Sequence, residues 1–322
     1  MLVDLQEITS ARNRIAQILQ PTPVHRSSTY SELVGSEVFL KLETLQPTHS
    51  FKVRGASNAA LALSKAKLAR GLITASGGNH GLALAYIARR LGATATVYLP
   101  VGTPRVKIEA IRALDARVVL HGEAWDDANQ RALEVARETG QTYVHPFDSP
   151  QMMAGAGTIV LELEEQQEPF DLIVVSIGGG GLIAGILSAV QQLRPATRVV
   201  GVETVGADSM YQSLQAGELV ELPAITSIVE SLGARRVGEV PFGLVQRYAE
   251  DVVTVSDTQA TEAVASLLME EKLLAEPATA CCLAALALGK ILVAPGERVA
   301  VILCGANVSS RKVCEWLEQE HD

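Results

Sequence analysis

The sequence predicts an α/β protein built from open, twisted, mostly parallel sheets flanked by helices. Short runs of β-branched residues alternate with longer helical patterns along the chain, and this alternation is typical of the class. Several runs are apolar at every position, so we expect helices to cover both faces of the sheet. Because 322 residues exceed what one compact core usually holds, we expect two sheets and two domains.

An amphipathic N-terminal helix is predicted to end near QPTPVH, and eight segments after it are predicted to be strands. These segments are residues 37–43, 72–76, 95–100, 117–122, 171–177, 198–203, 251–256 and 298–304. Helical patterns such as GNHGLALAYIARRLG and GLIAGILSAVQQLRP lie between them. HPFDSP (145–150) places Pro, Asp and Ser between helical runs, so we interpret it as the crossing point between the domains.

Composition excludes several classes of protein. The chain is 48% hydrophobic and 20% charged with a net charge of −9, which indicates a soluble globular protein that does not bind nucleic acid. Residues 172–190 carry no charge, but four consecutive glycines would interrupt a membrane helix. The N-terminus has no apolar signal region and the four cysteines form no CxxC pair, so we expect a cytoplasmic protein with reduced thiols.

The strongest local signal is SIGGGGLIAG (176–185), in which four glycines join a buried strand to a helix. Such a turn lets backbone N–H groups approach a phosphate closely at the positive end of the helix. Two alternatives are a turn that serves packing alone and a dinucleotide site. The latter would use the pattern Gly179-x-Gly181-x-x-Ala184, with Glu203 about twenty residues further on.

Two more glycine-bearing turns follow apolar strands. In TASGGNHG, Ser76, Asn79 and His80 could surround a small carboxylate at a helix start, although Ser and Asn also serve as plain caps. In LCGANVS, Cys304 ends a strand, and strand ends border the ligand crevice of open α/β sheets.

Lys52 lies in the first turn of a predicted helix that begins in HSFKVRG. The helix dipole and burial would both lower the pKa of its amine, and a neutral amine can form a Schiff base. Most lysines at helix starts are solvated, so this stretch alone is weak evidence. A lysine, a phosphate cradle and a carboxylate cradle together are what pyridoxal phosphate acting on an amino acid requires.

Six segments carry a resemblance to a known family: KLETLQPTHSFKVRGA, SGGNHGLALA, HPFDSPQMMAGAGTIVLEL, SIGGGGLIAG, AEPATA and CGANVS. In this order they resemble the pyridoxal-phosphate enzymes of fold type II, the tryptophan synthase β-like fold. Within these enzymes, the chain resembles the serine/threonine dehydratase (threonine ammonia-lyase) and serine racemase group. The resemblance covers nearly the whole chain. It implies a small domain at residues 68–147 and a large cofactor-binding domain formed by residues 1–67 and 148–322.

The resemblance also implies roles for individual residues. Lys52 would be the catalytic Schiff-base lysine, and its cofactor, pyridoxal 5'-phosphate, would contact Phe51, Asn79, Gly178, Gly179, Gly180, Gly181, Leu182 and Cys304. In this set the glycines and the Leu182 amide would hold the phosphate, Asn79 the 3-hydroxyl and Cys304 the pyridine nitrogen. Ser76, Asn79 and His80 would bind the substrate carboxylate.

The implied reaction is β-elimination from a β-hydroxy amino acid such as L-threonine or L-serine, giving a 2-oxo acid and ammonia. The alternatives are a serine racemase, a dehydratase for 3-hydroxyaspartate or phenylserine, a β-replacement enzyme and, more distantly, an NAD-dependent dehydrogenase. Gly77 stands where racemases of the group have a second serine, which favours elimination. We also expect a homo-oligomer, a dimer, with a small amino acid as its substrate and no nucleic-acid or membrane partner.

Two positions depart from the family pattern. A divalent cation would be held by the Glu203 carboxylate, the Ala207 carbonyl and a carboxylate where this chain has Ser209, and the loss of one acid weakens such a site. His49 stands where the family often has glycine, either as a loop residue without a role or as part of the mouth of the site.

Overall fold

Ten strands form two separate sheets in the computed structural model, which describes residues 1–319. The strands are β1 (Val24–Ser27), β2 (Glu37–Lys41), β3 (Leu72–Ala75), β4 (Ala95–Leu99), β5 (Arg117–Leu120), β6 (Thr142–Tyr143), β7 (Leu172–Ser176), β8 (Arg198–Thr204), β9 (Asp251–Val255) and β10 (Arg298–Ile302). All eight predicted strands are confirmed. The sequence prediction missed β1 and β6.

Fourteen α-helices and two 3₁₀ turns connect these strands within residues 1–319. The helices are α1 (Leu5–Ile15), α2 (Ser28–Val34), α3 (Lys52–Leu61), α4 (Lys65–Ala69), α5 (Asn79–Arg90), α6 (Arg105–Arg112), α7 (Trp125–Thr139), α8 (Pro150–Gln166), α9 (Gly181–Leu193), α10 (Ser209–Ala216), α11 (Glu239–Tyr248), α12 (Asp257–Glu271), α13 (Pro277–Ala287) and α14 (Ser310–Gln319). The 3₁₀ turns are Glu43–Leu45 and Glu230–Leu232.

The larger sheet has the strand order β1-β2-β10-β7-β8-β9. Every pair in it is parallel except β1 with β2, which is antiparallel. Successive side chains of β7 point to opposite faces: Leu172 and Val174 join one apolar cluster, Ile173 and Val175 the other. Helices α8 and α9 contribute to one cluster and α12 and α13 to the other, so the strand is buried on both faces, as its apolar run predicts.

The smaller sheet has the order β5-β4-β3-β6 and is parallel throughout. Its four strands lie between residues 72 and 143, and Leu72 and Ile73 point to different apolar clusters on its two faces. The predicted domain limits at residues 68 and 147 stay a prediction, and the last three residues of the predicted range 148–322 lie outside the described residues.

A buried group of charged side chains anchors α3 to the larger sheet. Arg54 makes paired hydrogen bonds to both oxygens of Glu43, at 2.7 and 2.8 Å, and to both oxygens of Glu162, each at 2.7 Å. Lys41 Nζ donates to Glu162 at 2.7 Å. The side chains of these four residues are at most 1% exposed. Since two cations meet two carboxylates, the group is neutral as a whole and holds the first turn of α3 in place.

Candidate active site

Lys52 is the first residue of α3, and its side chain is partly buried. Its Nζ donates to the carbonyl oxygen of Pro146 at 2.7 Å and lies 5.1 Å from the centroid of the Phe51 ring. Burial lowers the pKa of the Lys52 amine to about 8, because removal from water disfavours the charged form. At physiological pH a larger fraction of this amine is therefore unprotonated than in an ordinary lysine.

The loop before α3 pairs with the loop after β10. The Phe51 amide donates to the Cys304 carbonyl at 2.9 Å, and the Ala306 amide donates to the His49 carbonyl at 2.9 Å. His49 itself is exposed and has a positive φ of 54°, a backbone conformation that glycine adopts with less strain than other residues. The pairing places Lys52 beside the segment that carries Cys304, two residues predicted to share one site.

The Cys304 thiol is buried and lies within hydrogen-bonding distance of two hydroxyl groups. Its Sγ is 3.4 Å from Ser176 Oγ and 3.1 Å from Thr279 Oγ1. Burial, together with the smaller effect of the nearby Glu276 carboxylate, raises the pKa of Cys304 to about 12. Cys304 is therefore a neutral thiol, a weak hydrogen-bonding partner rather than an anion.

The predicted phosphate turn, Gly178–Gly181, leads directly into α9. Gly180 has a φ of 90°, and a Cβ on Gly179 would lie 2.3 Å from the Phe147 ring, so both the backbone and the packing require glycine. Gly180 provides the N-cap position of α9 without a side-chain cap. The amides at this helix start, including that of Leu182, are therefore available to an anion.

The turn formed by residues 76–79, called the asparagine turn below, leads into a second helix start of the same kind. Helix α5 begins at Asn79 after Gly78, with no side-chain cap, and Ser76 Oγ accepts a bond from the Gly78 amide at 3.3 Å. The Asn79 side chain donates from Nδ2 to Glu276 Oε1 at 2.7 Å. This turn therefore offers free backbone donors of the kind that bind a carboxylate.

The His80 side chain is buried and neutral. Its Nε2 lies 3.0 Å from the Val144 carbonyl oxygen, which can only accept, so Nε2 carries the hydrogen and Nδ1 is an acceptor. Burial, together with the smaller effect of the Lys52 charge, lowers the pKa of His80 to about 3. If His80 binds the substrate carboxylate as predicted, it does so through its backbone amide and not through its ring.

Sequence reasoning missed several residues that complete this site. Glu276 accepts hydrogen bonds from Asn79 and Ser231, and Asn307 donates to Asn79. Phe147 packs against the glycine turn. Glu276 and Asn307 lie inside the segments AEPATA and CGANVS, which carry the family resemblance, so the sequence could have indicated both residues. No motif in the sequence indicates Ser231.

The residues predicted to bind a cation lie elsewhere, after β8. Both oxygens of Glu203 accept backbone bonds, from the amides of Met210 at 3.0 Å and Tyr211 at 2.7 Å, and burial raises the pKa of Glu203 to about 8. Ala207 pairs with Thr204 in an isolated bridge. Residues 1–319 contain no group of three or more His, Cys, Asp or Glu side chains arranged to hold a metal, so the cation site stays a prediction.

A model of the family described as pyridoxal-phosphate dependent enzymes matches residues 15–305. The chain belongs to this family of pyridoxal-phosphate dependent enzymes. The predicted fold class, family and cofactor are thereby confirmed, and the dinucleotide interpretation of the glycine turn is set aside.

Several relatives share most of the chain. The L-threonine ammonia-lyase of Thermotoga maritima is 36% identical over 95% of this chain and 76% of its own length. The biosynthetic L-threonine dehydratase of Pasteurella multocida is 37% identical over 92% of this chain and 58% of its own length. The structure of maize serine racemase has a TM-score of 0.91 and 31% identity, covering 99% of this chain and 100% of that one. The prediction of a dehydratase-like lyase agrees with the relatives' names.

The residues present suit the cofactor of this family. Two uncapped helix starts supply donors for a phosphate and a carboxylate. His80 Nδ1 and Thr48 Oγ1 are buried polar atoms without a hydrogen-bond partner among the described residues, and buried polar atoms are normally satisfied. A polar ligand that donates a hydrogen bond to Nδ1 would meet that need for His80, which lies close enough to Lys52 for the charge of Lys52 to lower its pKa.

None of the described helices combines the length and the apolar character needed to cross a membrane.

Proposed function

We propose that the protein is a lyase that eliminates water from a β-hydroxy amino acid such as L-threonine or L-serine. The observation that carries the proposal is the partly buried amine of Lys52, hydrogen-bonded to Pro146 and joined through the Phe51 amide to the Cys304 segment. The relatives named threonine ammonia-lyase and dehydratase support the choice of reaction.

The cofactor would be held by residues from three segments of the chain. Lys52 would carry it covalently with Phe51 beside it, Asn79 would bind its 3-hydroxyl, Cys304 would face its pyridine nitrogen, and its phosphate would be bound by Gly178, Gly179, Gly180, Gly181 and Leu182. When bound, pyridoxal phosphate supplies a sink for the negative charge that develops at the substrate Cα.

The substrate carboxylate would lie at the start of α5. Ser76 supplies a hydroxyl, and Asn79 and His80 supply backbone N–H groups at an uncapped helix start. The helix dipole adds to the attraction of an anion. The free nitrogen of the His80 ring is an acceptor, so the ring cannot donate a hydrogen bond to the carboxylate.

Lys52 would act as the general base for the Cα proton. With its pKa lowered to about 8, about a tenth of the free amine is unprotonated at pH 7, far more than for an ordinary lysine, and this unprotonated form is what a general base requires. The substrate then loses its β-hydroxyl as water, and the released enamine hydrolyses to a 2-oxo acid and ammonia. The water lost in the first step is regained in the second.

The neutral Cys304 thiol suits elimination. A carboxylate at the pyridine nitrogen would keep that nitrogen protonated, whereas a neutral thiol favours the unprotonated ring and weaker electron withdrawal. Elimination tolerates the weaker withdrawal, because the hydroxyl leaves as negative charge develops at Cα. Cys304 therefore favours a lyase over reactions that accumulate a free carbanion.

Racemisation is the second candidate, since maize serine racemase shares the fold over nearly the whole chain. Gly77 carries no side chain that could deliver a proton to the opposite face of Cα. We therefore propose that racemisation is a minor activity here.

We further propose a homodimer, on the family resemblance, and a cytoplasmic location. The four cysteines, all within the described residues, are free thiols, which suits a reducing compartment. Light scattering during size-exclusion chromatography measures the oligomeric state directly.

A panel of amino acids tests the proposed reaction. Purified protein loaded with pyridoxal 5'-phosphate is given L-serine, L-threonine, 3-hydroxyaspartate and phenylserine, and 2-oxo acid and ammonia are measured with and without a chelator. We expect equal amounts of both products from at least one substrate, and none from the Lys52→Ala variant. Absence of oxo acid with all four substrates would refute the proposal, and loss of activity with the chelator would support the cation site.

A further inference from the structure

Glu276 is a buried carboxylate at the N-cap position of α13, only 5% exposed. Its Oε1 accepts from Asn79 Nδ2 at 2.7 Å, and its Oε2 accepts from Ser231 Oγ at 2.7 Å. One side chain thus joins the asparagine turn to the 3₁₀ turn Glu230–Leu232. Neither the reaction nor the cofactor contacts described above use it.

These bonds determine which way the Asn79 amide points. The Thr48 carbonyl can only accept, and Asn307 Nδ2 donates to it at 2.8 Å. The NH₂ group of Asn307 therefore faces Asn79 Oδ1, and the NH₂ group of Asn79 faces Glu276. On the other side, Asn307 Nδ2 donates to Asn79 Oδ1 at 2.7 Å. A flipped amide would place two acceptors against each other and two donors against each other, so the orientation is fixed at both ends and one N–H of Asn79 remains free.

The backbone around Glu276 is shaped to admit the carboxylate. A Cβ added to Gly305 would lie 2.2 Å from Glu276 Oε1 and 3.1 Å from Asn79 Nδ2, and the Glu276 amide donates to the Gly305 carbonyl at 3.0 Å. Any side chain at residue 305 would displace the carboxylate, so the absence of a side chain there is what allows the contact.

The other partner, Ser231, borders the glycine turn. A Cβ on Gly178 would lie 3.1 Å from the Ser231 carbonyl oxygen, so the 3₁₀ turn packs directly against the predicted phosphate site. Glu276 therefore connects Asn79, which begins α5, to the wall of that site across two hydrogen bonds.

We propose that Glu276 is a positioning residue that holds the Asn79 amide in one orientation and ties the asparagine turn to the Ser231 turn. The inference rests on the proposed function, in which the free N–H of Asn79 meets the 3-hydroxyl of the cofactor. Glu276 acts through Asn79 and does not itself touch substrate or cofactor.

A rival role for Glu276 is electrostatic, because its charge acts on Lys52. Two variants separate the roles. Glu276→Gln removes the charge, but its amide oxygen can still accept from Asn79 and its NH₂ can donate to Ser231. Glu276→Asp keeps the charge but is one methylene shorter, so it cannot reach both partners.

The test measures the dissociation constant of pyridoxal 5'-phosphate by titrating apo protein and following visible absorbance. Loss of one or two buried hydrogen bonds corresponds to about a tenfold weaker affinity. We expect Glu276→Asp to bind about tenfold more weakly and Glu276→Gln to stay within about threefold of wild type. Glu271→Ala is the matched control, since Glu271 is a poorly exposed carboxylate that binds His25 and Ser27, and we expect no change in affinity.

A double variant tests whether Glu276 acts through Asn79. If it does, Glu276→Asp should weaken cofactor binding no further when Asn79 is already Ala, because coupled residues are not additive. Additive losses would overturn the inference. A Glu276→Gln variant that binds the cofactor weakly while Glu276→Asp binds it normally would overturn it too. So would Asp and Gln variants that both bind the cofactor like wild type. If wild-type protein itself fails to bind pyridoxal phosphate, the proposed function falls and the inference falls with it.

Discussion

At the scale of single residues, the chemistry depends on which side chains can exchange a proton near Lys52. Lys52 has a lowered pKa, Cys304 a raised one, and His80 presents only an acceptor to the site. Among these three, only Lys52 changes its charge near neutral pH. Proton transfer in the site therefore centres on one amine, and an added hydroxyl nearby should alter the outcome.

Gly77→Ser tests that conclusion. A Cβ at Gly77 would lie 3.4 Å from side-chain carbons of Leu99 and Thr103, an ordinary contact, and its φ lies outside the left-handed region. The serine should therefore fit, and we expect D-serine formation from L-serine to rise about tenfold or more. Chiral chromatography measures the product. Gly77→Ala is the control without a hydroxyl, and an equal rise in that variant would contradict the proton-transfer explanation.

His80 should make stability depend on pH. In the native protein its pKa is lowered to about 3 from 6.5, so below about pH 6.5 the unfolded chain binds a proton that the native state excludes. The free energy of unfolding should fall as pH decreases, by up to about 1.4 kcal/mol per pH unit. His80→Gln keeps a donor for Val144 without a titrating group. Between about pH 6.5 and 4.5 the free energy of unfolding of this variant, measured with urea, should therefore fall less than that of wild type. Equal slopes for both proteins would show that His80 does not contribute.

At the scale of elements, the start of α3 is held by the charged group around Arg54. Removing one partner of a buried ion network leaves an uncompensated charge, so we expect Arg54→Met to lower the free energy of unfolding by about 3–5 kcal/mol. Urea unfolding measures this. Arg131→Met is the control, because Arg131 makes surface ion pairs with Glu134 and Glu138, and its replacement should change the free energy of unfolding very little. A small loss in both variants would mean that the buried group contributes little stability.

Most elements could be predicted from the sequence, and the two missed strands show where prediction stops. Strand β1 follows Pro23 and has only one buried residue in four, so neither its pattern nor its flank indicates a strand. Strand β6 has two residues, too few for any periodicity. Both lie at sheet edges, where one side of the strand has no neighbour to impose an apolar run.

The candidate site, like the fold, could be predicted from the sequence only in part. The positions of Lys52, Cys304 and the glycine turn follow from motifs that lie next to strands and helix starts. The contact between Asn79 and Glu276 joins residues 197 positions apart, and no local pattern encodes it. Such pairs follow from how the sheets and loops pack together, so they emerge only from the three-dimensional structure.

At the scale of the whole molecule, ion pairs connect helices beside the smaller sheet to the segment that follows β8. Lys107 of α6 pairs with Glu230, and Arg235 pairs with Asp126 of α7 at 3.0 Å. Glu230 precedes Ser231, which binds Glu276. Because Glu230 is the first residue of the 3₁₀ turn next to the active site, its exposed pair with Lys107 helps to hold that turn in place.

Lys107→Gln should weaken the reaction only modestly. Exposed pairs contribute at most about 1 kcal/mol, so we expect KM to rise by no more than about fivefold. Thermal stability should stay nearly unchanged. Steady-state kinetics at low salt measure the effect. The additional change Glu230→Gln should add little, since the pair with Lys107 is already broken and Glu230 then loses only its exposed pair with Lys312 at 3.5 Å. Complete loss of activity would instead place Lys107 in the chemistry.

The most direct test of the central claim is to find which lysine carries the cofactor. The protein loaded with pyridoxal 5'-phosphate is reduced with borohydride, digested, and its peptides are sequenced by mass spectrometry. We predict one pyridoxyl group, on Lys52, and no labelled peptide from the Lys52→Ala variant. A label on another lysine, or an equal label in the variant, would contradict the assignment of Lys52.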